Sequence, residues 1–201
     1  MKLRRMLLGW CLLMLLFPAK AETGWEAEPF SGALCGRTVT VTRQLWADGP
    51  LTPEQTAGPM RPETVFALRC MQAEILDRAL IFEQTSAYSA AISSDAKTGA
   101  WLRANAWRFG LMIEDETEES LRLRYAGPVH AAAMHALQMD LEAYLRFLRQ
   151  TGQIVLKRNG QPVAWVFCAA ESEALSFILP EGAAFSVSGD GAGFVVIAIG
   201  C

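Results

Sequence analysis

Residues 101–130 read W-L-R-A-N-A-W-R-F-G-L-M-I-E-D-E-T-E-E-S-L-R-L-R-Y-A-G-P-V-H. Trp101, Leu102 and Ala106 are the apolar members of a helix over Trp101–Phe109. Gly110 ends it, because glycine enters the left-handed conformation at a helix terminus without steric cost. Leu111-Met112-Ile113 is a short apolar strand, and Leu121–Tyr125 is a second. Between them Glu114–Glu119 carries five acids in six residues and reads as a solvated loop. Gly127-Pro128 opens another helix, since proline suits a first helical position, where no N–H is needed. Helix, strand, strand, helix over so short a stretch calls for helices packed on a small antiparallel sheet.

Upstream, Glu22–Ser31 is a polar, Pro- and Gly-containing lead-in, and Arg37–Arg43 alternates Thr and Val as a short strand does. Turn residues follow, from Asp48-Gly49-Pro50 through Pro62. A helix starts near Pro62, with Val65, Leu68, Met71, Ile75, Leu76 and Ala79 forming its apolar face. Leu80-Ile81-Phe82 then leads as a strand into a turn at Ser86-Ala87-Tyr88-Ser89. Downstream, Asp140 caps a helix that stops at Gly152. The pattern then becomes β. Ile154–Arg158 and Val163–Phe167 flank Asn159-Gly160, a dipeptide suited to the positive-φ turn of a hairpin. Leu175–Leu179, Ala184–Val187 and Phe194–Ile199 add strands between Gly-rich turns. The boundary expected is near residue 151, between a domain over 22–150 and a small all-β module over 151–201.

The start of the chain has a separate character. Lys2, Arg4 and Arg5 precede an apolar run from Met6 to Phe17, and Ala19-Lys20-Ala21 is a small-x-small cleavage motif. Residues 1–21 therefore read as a secretory signal peptide cut after Ala21. The apolar run falls short of the roughly 20 residues needed to span a bilayer, so no stable membrane span is expected after cleavage. Cleavage removes four basic residues and no acids, leaving 14 Lys and Arg against 21 Asp and Glu, a charge of −7. An acidic chain without a basic run is a poor partner for nucleic acid. Cys35, Cys70, Cys168 and Cys201 remain, enough for two disulfides or for none. If bridges form, Cys168 with Cys201 is the preferred pair, both lying in the C-terminal module. The absence of C-x-x-C leaves a redox motif or zinc ribbon unsupported.

Several strings, in this order, carry a family likeness. The turn Ser86-Ala87-Tyr88-Ser89-Ala90 resembles an SGYRS turn that follows a helix. Trp101-Leu102-Arg103-Ala104-Asn105-Ala106 with Phe109-Gly110 matches W-L-x-x-N-A…F-G. Glu119–Gly127 reads E-S-L-R-L-R-Y-A-G against E-P-W-H-x-R-Y-V-G, and His130-Ala131 fits the H-A after it. Asp140–Leu145 resembles a closing L-E-E-Y-L. Together they resemble the VanY-type D-alanyl-D-alanine carboxypeptidases, closely over residues 60–150 and loosely over 151–201. The resemblance implies an α+β fold: a small antiparallel sheet with packed helices, followed by a C-terminal β module.

It also implies zinc, which that family holds with a His and an Asp from S-x-H-x-x-G-x-A-x-D and with the His of E-P-W-H. Three protein ligands leave one position for a water whose pKa the metal lowers. This chain departs at each ligand. No histidine lies between Tyr88 and Trp101, where the S-x-H-x-x-G block is missing. Ala91 stands at the aspartate position and Arg122 at the histidine position. Glu119 alone keeps its place, as a vestigial general base. No zinc cofactor is therefore expected.

The residues support this without the family. The chain's two histidines, His130 and His135, are five apart on one helix. They point about 140° apart around its axis, unlike the i, i+4 pair of a helical zinc site. A Ser-His-Asp triad would need one of them, and no G-x-S-x-G is present, so neither Ser86 nor Ser89, each more than three residues from Lys97, has a nucleophile's setting. Glu114–Glu119 lacks the spacing of a calcium loop.

The expectation is an exported, wall-associated carboxypeptidase homologue without catalysis. It would bind a peptidoglycan stem peptide or a cell-wall protein through Ser86, Tyr88, Arg122 and Arg124. Arg122 would either pair with Glu119 in the space vacated by zinc or grip a peptide's terminal carboxylate. The alternatives are an active zinc peptidase with unrecognised ligands, and a non-enzymatic interaction protein.

Overall fold

The computed structural model describes residues 24–47, 49–51, 59–75, 80–117 and 120–200. The signal-peptide reading of residues 1–21, the general-base position Glu119 and the cysteine Cys201 lie outside them. Eleven strands are formed: β1 (Trp25–Pro29), β2 (Arg37–Thr42), β3 (Phe82–Gln84), β4 (Ser89–Ser93), β5 (Leu111–Glu116), β6 (Ser120–Tyr125), β7 (Gln153–Arg158), β8 (Gln161–Ala170), β9 (Ala174–Leu179), β10 (Ala184–Gly189) and β11 (Phe194–Gly200). Among the described residues four α-helices accompany these strands: α1 (Pro62–Glu74), α2 (Ala96–Asn105), α3 (Pro128–Leu137) and α4 (Leu141–Thr151). Every strand pairing is antiparallel, so the fold is α+β as the sequence leads one to expect.

The helix ends follow their sequence signals. Asp95 accepts from the Thr98 N–H at 2.8 Å and Asp140 from the Ala143 N–H at 2.8 Å, each satisfying a donor that a helix start leaves open. The helix expected over Trp101–Phe109 is α2 from Ala96 followed by a 3-10 turn over Ala106–Phe109, closed by Gly110 at φ 76°. On α1 the buried stripe is Thr64, Ala67, Leu68 and Met71, whereas Val65 is only half-buried and Phe66 is exposed. Asn159 and Gly160 both have positive φ, the requirement of the tight turn joining β7 to β8.

A four-stranded sheet in the order β3-β4-β6-β5 carries α1 and α2 on one face. Ala90, Ile92, Leu121, Leu123 and Leu111 alternate inwards there against Leu68, Met71 and Leu102. The strand period of two sends their neighbours Ser89, Ala91, Arg122 and Arg124 to the other face.

The second sheet has the order β1-β7-β8-β11-β10. One face packs on α3 and α4 through Met134, Tyr144, Leu148, Ile154, Val166 and Val196. The other packs through Val195, Ile197 and Ile199 on the β2–β9 ribbon, with Trp46 buried between them. This departs from the expected boundary near residue 151. The stretch read as a polar lead-in contains β1, whose Trp25–Pro29 pairs with Arg158–Ile154, and β2 pairs with β9. The C-terminal β module is thus completed by N-terminal strands and shares a core with α3 and α4.

Candidate functional site

The polar face of the first sheet holds the residues that the sequence singles out. Ala91 on β4 stands directly opposite Arg122 on β6, and Ser89 stands opposite Arg124. Cross-strand partners project to the same side, so these four side chains are neighbours. The third wall is β5. Its pairing with β6 shifts between Ile113 and Asp115, which leaves Glu114 as the extra residue of a β-bulge. Alternation from Leu111 and Ile113, which face the helices, puts Glu114 on this face with Met112, and the bulge sets Asp115 opposite Arg122 beside it.

Glu114 becomes the hub of the cluster. Its Oε1 accepts from Arg124 Nη1 at 2.9 Å, and its Oε2 accepts from Ser89 Oγ at 3.0 Å. Arg122 Nε lies 3.2 Å from the same Oε2, close enough for an ion pair but too poorly aligned for a hydrogen bond. Arg122 Nη2 is 3.6 Å from Asp115 Oδ2. The two arginines differ in exposure. The Arg124 side chain is 4% exposed and also donates from Nε to the Pro50 carbonyl at 2.9 Å, whereas Arg122 is 43% exposed. Beside Glu114 a cleft of about 490 Å³ opens, walled by Met112, by Asp140 and Leu145 at the start of α4, and by Asp190–Ala192. Asp190 is buried, accepts from Arg149 Nε at 2.6 Å and from the Ala192 and Phe194 N–H groups, and so anchors α4 to the β10–β11 turn.

The cleft therefore lies where the first sheet, α4 and the second sheet meet. Three comparisons bear on what this arrangement is. No family model matches the chain. A D-alanyl-D-alanine carboxypeptidase of Enterococcus faecium is 26% identical over 113 residues, covering 52% of this chain and 37% of that protein. Among solved structures, the vancomycin-resistance D,D-dipeptidase VanXYg, crystallised with a D-Ala-D-Ala phosphinate analogue, superposes with a TM-score of 0.65. The superposition covers 82% of this chain and 99% of that one at 10% identity, a level at which the likeness speaks for the fold. The chain is thus similar in sequence to a D-alanyl-D-alanine carboxypeptidase and shares the fold of a D,D-dipeptidase. It spans little more than a third of the length of the curated relative it matches.

Against the pattern of the VanY-type carboxypeptidases the site can be tested for zinc, and the residues present do not fit the ion. The two ligand positions that can be placed, Ala91 and Arg122, are cross-strand neighbours, as two ligands of one metal would be. Alanine offers no donor atom, and guanidinium carries a positive charge and no lone pair to give. The carboxylate nearest them, Glu114, is engaged by two arginines, whose charges oppose a dication at the same point. Among the described residues no group of three or more His, Cys, Asp or Glu is arranged to hold a metal.

The remaining sequence candidates fall elsewhere. Ser86 is in the β3–β4 turn, its hydroxyl accepting from the Tyr88 N–H at 3.2 Å. Tyr88 is buried, with Arg61 5.9 Å over its ring at the start of α1. His130 is buried and shares a 3.0 Å hydrogen bond with the Tyr144 hydroxyl, and burial lowers its pKa to about 4. His135 stacks on Trp107 at 4.3 Å. Cys35, Cys70 and Cys168 carry free thiols, and burial, with Asp190 nearby, pushes Cys168 up to about 11, far from a reactive thiolate.

Sequence reasoning missed Glu114. It was grouped with the acidic run that follows, whereas β5 continues through Glu116. Once β5 is known to extend that far, alternation with Leu111 and Ile113 assigns Glu114 to the polar face, but nothing in the acidic run announces a strand.

Proposed function

We propose that this chain is a D,D-peptidase-fold protein that has lost hydrolysis and binds the D-alanyl-D-alanine end of a peptidoglycan stem peptide in the extracytoplasmic space. The observation that carries this is the Ala91–Arg122 pair, an empty methyl and a fixed cation facing each other where the family places two zinc ligands. Without a metal-activated water, the nucleophile on which the zinc peptidases rely is missing. A guanidinium, by contrast, is suited to a planar carboxylate, which it can meet with two parallel N–H donors. Arg122 is the exposed arginine of the cluster and is the group assigned to the ligand's terminal carboxylate. The VanXYg structure, holding a D-Ala-D-Ala phosphinate analogue on the same fold, supports this choice of ligand class.

The deciding experiment is the zinc stoichiometry of purified residues 22–201 after loading with excess metal and washing, with hydrolysis of an N-acyl-D-Ala-D-Ala peptide followed in parallel. The expected result is no retained zinc and no released D-alanine. One tightly held zinc per chain, or metal-dependent turnover, would overturn the reading.

A further inference from the structure

We propose that Glu114 is an intramolecular stand-in for the ligand's carboxylate, so that a peptide C-terminus enters by exchanging with it. The inference rests on the proposed function and adds how the site recognises its ligand and what holds it shut. Three donors converge on the Glu114 carboxylate: Arg124 Nη1 at 2.9 Å, Ser89 Oγ at 3.0 Å and the Arg122 side chain at 3.2 Å. Such a constellation of two guanidinium groups and a hydroxyl is what a carboxylate receptor requires. Here it is filled by the protein's own side chain, from the strand alongside.

The placement has the features of a displaceable occupant. Arg124 is fixed from behind by the Pro50 carbonyl and stays put whichever carboxylate it serves. Arg122 meets Glu114 at ion-pair distance without an aligned hydrogen bond, so its Nε is a buried donor left unsatisfied. An unsatisfied buried donor is costly, and a carboxylate free to choose its own angle can satisfy it. Ala91 opposite Arg122 adds no bulk. Glu114 also borders the cleft of about 490 Å³, which gives its side chain somewhere to go and the ligand's body somewhere to lie. The cluster of Arg122, Arg124, Glu114 and Asp115 is electrically balanced, so an incoming anion gains the arginines only by releasing an acid from them.

The test is calorimetric titration of wild-type protein and Glu114→Gln with N-acyl-D-Ala-D-Ala and with the same peptide carrying a C-terminal amide. The amide keeps every contact except the carboxylate. If Glu114 competes with the ligand, the variant binds the free acid about tenfold more tightly than wild type, the scale of roughly one charge-assisted hydrogen bond, and gains nothing for the amide. Binding of the acid by the variant alone also supports the exchange, while removing ligand binding by wild type from the proposed function. Equal or weaker binding by the variant overturns the exchange and leaves the proposed function standing. Binding of the acid by neither protein overturns both. Glu114→Asp provides a second variant that keeps a carboxylate beside Arg124: it withdraws the occupant by one methylene without touching a donor, and tighter binding of the acid is expected again. An unchanged affinity in a folded Glu114→Asp protein counts against the exchange.

Discussion

His130 packs edge-on against Tyr144 with their ring centres 5.9 Å apart, wholly enclosed by the core of α3, α4 and the second sheet. Enclosure disfavours the imidazolium and lowers its pKa from 6.5 to about 4. The unfolded chain therefore binds a proton at higher pH than the folded one. Stability is independent of this group above about pH 6.5, falls as pH drops towards 4, and stops falling below that, a loss of roughly 3 kcal/mol. His135 is shifted in the same direction by burial and contributes with the same sign. Urea titrations at pH 7.5, 5.5 and 4.5 should show the decline, and His130→Gln should flatten most of it. At this scale the sequence was informative where identity alone decides chemistry: Ala91 and Arg122 cannot be zinc ligands in any fold, and two histidines five apart on one helix cannot share a metal. It was silent on Glu114, because that residue opens an acidic run that reads as a loop, and only the pairing of β5 with β6 carries the strand through it.

Gly110 shows what an element terminus demands. It closes the 3-10 turn at φ 76°, and its carbonyl accepts from the Ala126 and Gly127 N–H groups at 2.9 and 3.1 Å. A Cβ added there would lie 3.0 Å from the Gly127 carbonyl carbon and the Pro128 nitrogen. Gly110→Ala should thus combine left-handed strain with a backbone clash and cost about 2 kcal/mol, read as a lower denaturation midpoint at unchanged slope. Gly160→Ala, with positive φ but open space around it, should cost less. Capping residues and the Asn-Gly turn were legible because their chemistry is local. The phase of α1 was not. Val65 suits an apolar stripe as well as Thr64 does by periodicity, but the sheet beneath the helix selects Thr64, whose hydroxyl reaches the Ala87 carbonyl. β1 was also missed, since five residues reading W-E-A-E-P become a strand only by pairing with β7.

For the whole molecule, the two sheets are joined by more than covalent continuity. β7–β11 resemble a separate module in the string, yet β1 supplies one edge of their sheet and β2 pairs with β9. Isolated residues 151–201 would expose the face of β7, β8 and β11 that α3 and α4 cover, and would lack both N-terminal strands. That fragment should give no cooperative thermal transition and a poorly dispersed amide spectrum, whereas residues 22–201 should unfold in one transition. Two independent transitions in the longer chain would contradict a shared core. The fold class was readable because helix caps, strand alternation and motif order agree with one another. The boundary was not, because strand pairing across more than a hundred residues leaves no mark on either partner alone.

That pairing also has a consequence in time. A ribosome releases Trp25–Pro29 long before Gln153–Arg158 exists, and Arg37–Thr42 long before Ala174–Leu179. β1 must wait for β7 and β2 for β9, and long-range closure of this kind is slow because loop entropy is spent before any contact repays it. Until Phe194–Gly200 has been made the second sheet is incomplete, and β1 and β2 remain available to chaperones or to neighbouring chains.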